Sequence, residues 1–238
     1  MLRPRDTPKC HSKSSSCVLS LQKSANSVIK ALKSTTSIDV YSDEKPGRGL
    51  DELLQRRDIE AVIVLLPILV LPDVIRKCLA AGKHVLAEKP IAKDIATGRA
   101  LIAEYESTYT PRNLVFSVAE HFRYDTGFVN ASEIVASGTI GELQHVVNPA
   151  LRFSKGAQGR LCAGPDTTVR VEGGDGNAVS EEIFWVDGNV NEIGAFVQAI
   201  AAGKGDRAGS PREALADVAV IESVCAGGGL VQSHEILS

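Results

Sequence analysis

Two adjacent side chains of opposite charge, Glu88 and Lys89, fall where the sequence predicts the carboxyl end of a parallel strand. A lysine ammonium at such a place can polarise a carbonyl oxygen or relay the proton of a hydroxyl. Glu88 alone could instead pair with Lys83 or Lys93. Arg123 is expected as a substrate-binding or structural anchor, because its planar donors suit a carboxylate; Glu120 and Asp125 lie close to it in sequence. His121 is a candidate acid or base, but no carboxylate stands at a defined spacing from it. His84 opens a strand, where a hydrogen-bonded structural role suits it better than proton transfer. The cysteines at 10, 17, 78, 162 and 225 are odd in number and contain no Cys-x-x-Cys, so neither a disulfide framework nor a metal site is expected. Cys78 reads as a small core residue.

The elements that must position these residues follow from periodicity. Ala61 to Leu66 is an apolar run closed by Pro67, which predicts a strand buried on both faces. Val74, Ile75, Cys78, Leu79 and Ala81 then mark one face of a helix with Pro72 in its first turn and Gly82 at its C-terminal cap. His84 to Ala87 is a second short strand, and the sum is a parallel crossover unit. Open parallel sheets bind ligands at the carboxyl ends of their strands, which is where Glu88 and Lys89 fall.

The alternation extends both ways. Upstream, strands are predicted over Cys17 to Leu21 and Ile38 to Tyr41, with helices over Ser24 to Leu32 and Leu50 to Arg57. Downstream come a helix from Lys93 or Asp94 to about Tyr105, a strand over Leu114 to Val118 and a helix over Thr126 to Ala136. Beyond Gly138 the pattern changes. Leu143 to Val147, Leu151 to Phe153, Thr167 to Val171 and Glu182 to Val186 are strands without helices between them, with a hairpin tip at Gly173 to Gly176. Helices over Val190 to Ala202 and Pro211 to Cys225 follow, the second capped by Ser210. Trp185 is expected in sheet packing, with Ile183 or Phe184 beside it as the alternative mark of a subunit-facing surface.

With 238 residues, 44% of them hydrophobic, and a formal charge of -3, the chain has neither a basic field nor basic-aromatic interleaving for nucleic acid. The apolar run from Ala61 to Leu71 is short of the roughly 20 residues of a membrane span. The Ser-rich leader has no signal-peptide core. A cytoplasmic protein with no nucleic acid and no membrane partner is the expectation.

The segment from Ala80 to Pro90, AAGKHVLAEKP, resembles the signature of the glucose-fructose oxidoreductase / inositol dehydrogenase / MocA family. Phe122-Arg123, Ser137 to Glu142, Asn191 to Gly203 and Ser210 to Leu215 resemble it further, in the same order. The resemblance implies an α/β chain: an incomplete Rossmann-like parallel sheet, then a smaller α+β domain with a mainly antiparallel sheet. The division expected is a disordered leader over 1–16, a nucleotide-binding domain over 17–118 and a shortened substrate and oligomerisation domain over 119–238. It also implies NAD or NADP as cofactor, with Lys89 catalytic, Glu88 and Lys89 near the nicotinamide, and the backbone of Leu65, Leu66 and Pro67 along the cofactor. The reaction implied is hydride transfer to or from a secondary alcohol or carbonyl of a small sugar- or polyol-like molecule, in a homo-oligomer joined through the second-domain sheet.

The sequence also departs from that family. It has no Gly-x-Gly-x-x-Gly; Gly47-Arg48-Gly49 reads as a loop, so the first strand and its glycine loop are expected to be missing. Ile68 and Leu71 stand where an Asn and a His are common, and His121-Phe122-Arg123 replaces Asn-x-Arg. No Asp has a His four residues later, and the second domain is short between Ser154 and Thr167. Leu19 to Gln22 carries neither an Asp nor an Arg to choose NAD or NADP. The alternative reading is a catalytically inactive homologue of regulatory type, or a truncated remnant.

Overall fold

The computed structural model describes residues 16–19, 38–42, 45–138, 166–172 and 178–227. The helix expected over 24–32, the strands over 143–147 and 151–153, the hairpin tip at 173–176 and residues 1–15 of the leader lie outside the described residues.

The strands are β1 (Ser16–Leu19), β2 (Ile38–Tyr41), β3 (Ala61–Val64), β4 (His84–Glu88), β5 (Phe116–Ala119), β6 (Asp166–Glu172) and β7 (Ala178–Trp185). The α-helices are α1 (Leu50–Leu54), α2 (Leu71–Ala80), α3 (Ile95–Glu104), α4 (Thr126–Ala136), α5 (Gly188–Ala202) and α6 (Pro211–Cys225). β3, β4 and β5 form a parallel sheet in that order, β1 pairs β2 in parallel, and β6 pairs β7 antiparallel. A doubly wound sheet runs in the order 3-2-1-4-5-6. Matching β1 and β2 to its second and third strands, and β3 to β5 to its fourth to sixth, accounts for two parallel blocks among the described residues.

Local signals set the helix ends. Asp94 caps α3 by accepting the Thr97 amide at 2.7 Å, and the Ser210 side chain accepts the Glu213 amide at 3.3 Å at the start of α6. Gly82, at φ +76°, lets the amides of Gly82 and Lys83 bond back to the Leu79 and Cys78 carbonyls, ending α2 as a Schellman motif. Gly47-Arg48-Gly49 is a turn entering α1, with the Gly49 amide donating to Glu52.

Both faces of the parallel sheet are covered. On one, Val85, Ala87, Phe116 and Val118 pack with Ile75 and Leu79 of α2, Leu101 of α3 and Leu215 of α6. On the other, Leu86 and Val115 meet Phe196 and Ala199 of α5. Each fully buried Ile, Leu or Phe contributes about 1.5–3 kcal/mol. The two closing helices therefore complete the core of the strands that precede them. The expectation that 61–66 is a strand buried on both faces is corrected: it ends at Val64, and Ile63 is 53% exposed. Ile63 alternates with Val62 and Val64 onto the α5 side, where the packed cluster takes in Ala61 of β3 but leaves Ile63 exposed.

Candidate active site

Glu88 and Ala119 are partners in the last rung between β4 and β5. Lys89 and Glu120 are the next residues of each strand, at the carboxyl edge, where neighbouring strands lie about 4.8 Å apart. The turn carrying Lys89 is held between Ala87 and Ile91, each 0% exposed, and contains a cis Lys89–Pro90 peptide. Glu88 is half-buried and Lys89 exposed. Neither lysine suggested as a partner for Glu88 pairs with it. Lys83 is buried and donates to the Arg56 and Ile59 carbonyls, while Lys93 meets Asp94 at 3.6 Å.

Glu120 is pushed above the ordinary glutamate range by burial and by Asp217, an effect that Arg123 and Lys89 oppose. Arg123 donates to Asp217 at 2.7 Å and to the carbonyls of Ala208 and Glu213. Its carboxylate partners are thus Asp217 and Glu213 on α6, not Glu120 or Asp125. Asp125 instead caps α4, accepting the Gly127 amide at 3.2 Å. His121 lies against Phe122, ring centroids 4.2 Å apart. His84 has the structural role expected of it, its Nδ1 accepting the Val115 amide at 3.0 Å. Cys78 is core, and burial pushes its thiol up to about 11.

The N-terminus of α5 docks on the residues that follow Glu120. Asn191 donates to the Tyr124 carbonyl, and Thr126 bonds Asp187 through both its amide and its hydroxyl. Gly188 permits this approach, since a Cβ there would stand 2.3 Å from the His121 carbonyl oxygen. The Tyr124 hydroxyl donates to Asp206, and burial together with that carboxylate raises its pKa. One turn into α5 is Glu192, 6% exposed and pushed up to about 7 by burial.

Leu65, Leu66 and Pro67 leave the end of β3 as an exposed apolar ledge, continued by Leu69 and Val70. The Pro67 carbonyl accepts the amides of Val70 and Leu71 and so opens α2 at the same edge.

Sequence reasoning missed Glu192, Asp206 and Asp217, and cited Glu120 only as a partner for Arg123. Signals existed for two of them. Glu120 ends its strand as Glu88 ends β4, and Glu192 shares helical spacing with Phe196 and Ala199 on the buried face of α5.

Residues 8–110 match a family model described as an oxidoreductase family with an NAD-binding Rossmann fold, the Gfo/Idh/MocA group. That stretch, somewhat under half of the chain, is similar to that family. Dehydrogenase FPY6 of Fusarium mangiferae is 51% identical over 90 residues, covering 37% of this chain and 25% of the relative. The dTDP-3,4-didehydro-2,6-dideoxy-alpha-D-glucose 3-reductase of Streptomyces violaceoruber is 36% identical over 97 residues, covering 40% of this chain and 27% of the relative. The likeness thus spans about a quarter of these Gfo/Idh/MocA relatives. The fold likeness runs further. An oxidoreductase from Thermotoga maritima superposes with a TM-score of 0.62 at 21% identity, over 93% of this chain and 90% of that one. KijD10 of Actinomadura kijaniata, a 3-ketoreductase solved with TDP-benzene and NADP, gives 0.63 at 18% identity, over 90% and 89%. Among the described residues no helix is long and apolar enough to cross a membrane, and no group of His, Cys, Asp or Glu could hold a metal ion.

Proposed function

We propose that this Gfo/Idh/MocA chain is an NAD- or NADP-dependent oxidoreductase acting on a secondary alcohol or carbonyl of a small sugar- or polyol-like molecule. The observation that carries the reading is the position of Glu88 and Lys89 at the carboxyl edge of a parallel sheet, inside the stretch matched to an NAD-binding family. The reductase of Streptomyces violaceoruber supports the substrate class.

The described residues fit the nicotinamide half of such a cofactor. The apolar ledge of Leu65, Leu66 and Pro67 offers a surface for the ring, with Glu88 and Lys89 at the same edge. A bound nicotinamide supplies the hydride acceptor or donor. Lys89 then holds the substrate oxygen and relays its proton, while Glu88 accepts a hydrogen bond from the ligand. Arg123, already anchored on α6, contributes by fixing the turn that carries Glu120, so that a substrate meets a set edge.

Calorimetric titration with NADH and NADPH tests the reading. Heat of binding is expected, and Lys89→Ala should abolish turnover while leaving cofactor affinity nearly unchanged. No heat at millimolar cofactor would overturn it. The second reading, a catalytically inactive binding homologue of regulatory type, is favoured by one observation: these 238 residues contain no Gly-x-Gly-x-x-Gly.

Ile183 and Trp185, 66% and 75% exposed, point to one side of β7 and so depart from the expected sheet packing. That face supports a homo-oligomer joined through the second-domain sheet, for which sedimentation of a Trp185→Lys variant is the check. A cytoplasmic location belongs to the same reading.

A further inference from the structure

The carboxyl ends of α1 and α2 meet at the amino edge of the parallel sheet, opposite Glu88 and Lys89, around a cavity of about 730 Å3. That size is ordinary for a small-molecule site. Leu54, Ala80 and Ala81 give the cavity an apolar wall. Arg57 and Lys77 stand on its exposed rim, and neither has an ion pair among the described residues. The cavity also reaches Lys83, which is 6% exposed and donates to the Arg56 carbonyl at 2.6 Å and the Ile59 carbonyl at 2.9 Å. These carbonyls use two of the three ammonium donors, and no carboxylate among the described residues pairs with the charge. Neighbouring acids are engaged elsewhere. Asp39 and Asp58 pair with Arg56, and Glu52 accepts the Gly49 amide. Asp51 lines the cavity but forms no ion pair with its cations among the described residues. Against the charges of Arg57, Lys77 and Lys83 stand only Asp51 and the carbonyl ends of α1 and α2, each helix end worth at most about half an elementary charge. A positive surplus remains, part of it on a buried side chain, where an unpaired charge is costly.

We propose that this cavity binds a small organic phosphate, a monoester carried on an apolar body. Arg57 supplies a planar fork of donors and Lys77 an adaptable point charge, while Lys83 is a charge held in place by its two carbonyls. A phosphate monoester carries about −1.5 to −2 at pH 7 and answers the surplus more fully than a single carboxylate does. The apolar wall favours an ester over inorganic phosphate. β4, with its 5 residues, separates Lys83 from Glu88 by about 16 Å. The ligand is therefore a second one, distinct from whatever binds at the carboxyl edge, and the site does not depend on the oxidoreductase reading of Lys89.

Backbone-amide NMR of the isotope-labelled chain, titrated with phenyl phosphate, inorganic phosphate and benzoate, tests this. Phenyl phosphate should shift the amides of residues 54–57 and 77–83 saturably and leave those of Glu88 and Lys89 in place. It should bind about tenfold more tightly than inorganic phosphate, through the apolar wall, and more tightly than benzoate, through its charge. The double variant Arg57→Gln, Lys77→Gln should weaken phenyl phosphate at least about tenfold while keeping the amide pattern of β4 and β5, because both side chains are exposed. Shifts that never saturate, or that fall outside these residues, overturn the site. Benzoate bound as tightly as the ester overturns the assignment to phosphate, and equal affinity for inorganic phosphate overturns the assignment to an ester. Unchanged affinity in the double variant overturns the role of its cations. If that variant does not fold, the shift map and the three-ligand comparison on the parent protein still decide the proposal.

Discussion

The Arg123 guanidinium meets the Asp217 carboxylate at 2.7 Å, although 94 residues separate them in sequence. With its bonds to the Ala208 and Glu213 carbonyls, this contact ties the turn after β5 to α6. The edge that presents Glu120 is therefore fixed by a helix from the far end of the described chain. Arg123→Ala should lower the urea midpoint, at a cost of about 2 kcal/mol for partly exposed, charge-assisted bonds. Lysine should not restore it, because a point charge cannot serve three acceptors in a fixed plane. An unchanged midpoint would show that the contact adds nothing.

Gly188→Ala is expected to be costly for a different reason. The new Cβ would meet the His121 carbonyl oxygen at 2.3 Å, and the obstacle is backbone, which cannot rotate away. A destabilisation on the order of 2 kcal/mol or more should appear in chemical unfolding. Gly194 on the same helix has nothing within 4 Å of its Cβ position. Gly194→Ala is the control and should stabilise slightly, by about 0.5–1 kcal/mol.

His84 makes stability depend on pH on the acid side. Burial lowers its pKa, and its Nδ1 must stay unprotonated to accept the Val115 amide. The unfolded chain takes up that proton at about pH 6.5, so the stabilisation is complete above this pH and is lost as pH falls through the depressed folded value. The urea midpoint should fall on acidification from neutrality, and His84→Asn, which keeps an acceptor without the titration, should flatten that fall.

Glu192 tilts the curve the other way. Its folded pKa is raised from 4.5 to about 7, so the folded state holds a proton that the unfolded state has released. Stability should decline as pH rises through that interval, by on the order of 3 kcal/mol once both states are ionised. Glu192→Gln should escape the decline and gain on the parent protein at alkaline pH. Parallel curves for the two proteins would contradict the assignment.

Much of the architecture was legible because local signals agree with the fold. Ile38 to Tyr41, Thr126 to Ala136 and Pro211 to Cys225 occupy the residues that periodicity and capping predict. Burial was harder to read from one segment. Ile63 sits in an unbroken apolar run, and only the reach of α5 decides that it faces outward. Trp185 is a similar case. The site was legible as an edge, through Glu88 and Lys89, but its electrostatics were not. Glu120 gains its setting from Asp217 on α6 and Glu192 from the β4 and β5 termini, and such long-range meetings leave no spacing in the sequence.

The two parallel blocks have a consequence for how the molecule opens. β1 and β2 have no ladder to β3 among the described residues; β2 is tied to the rest by the Asp39–Arg56 ion pair and by Tyr41 against the core. Side-chain contacts of this kind can release one at a time, whereas a hydrogen-bonded ladder resists as a unit. Among the described strands β4 alone is laddered on both sides, to β3 and to β5, so its amides should be the slowest of them to exchange with solvent and should wait for global unfolding.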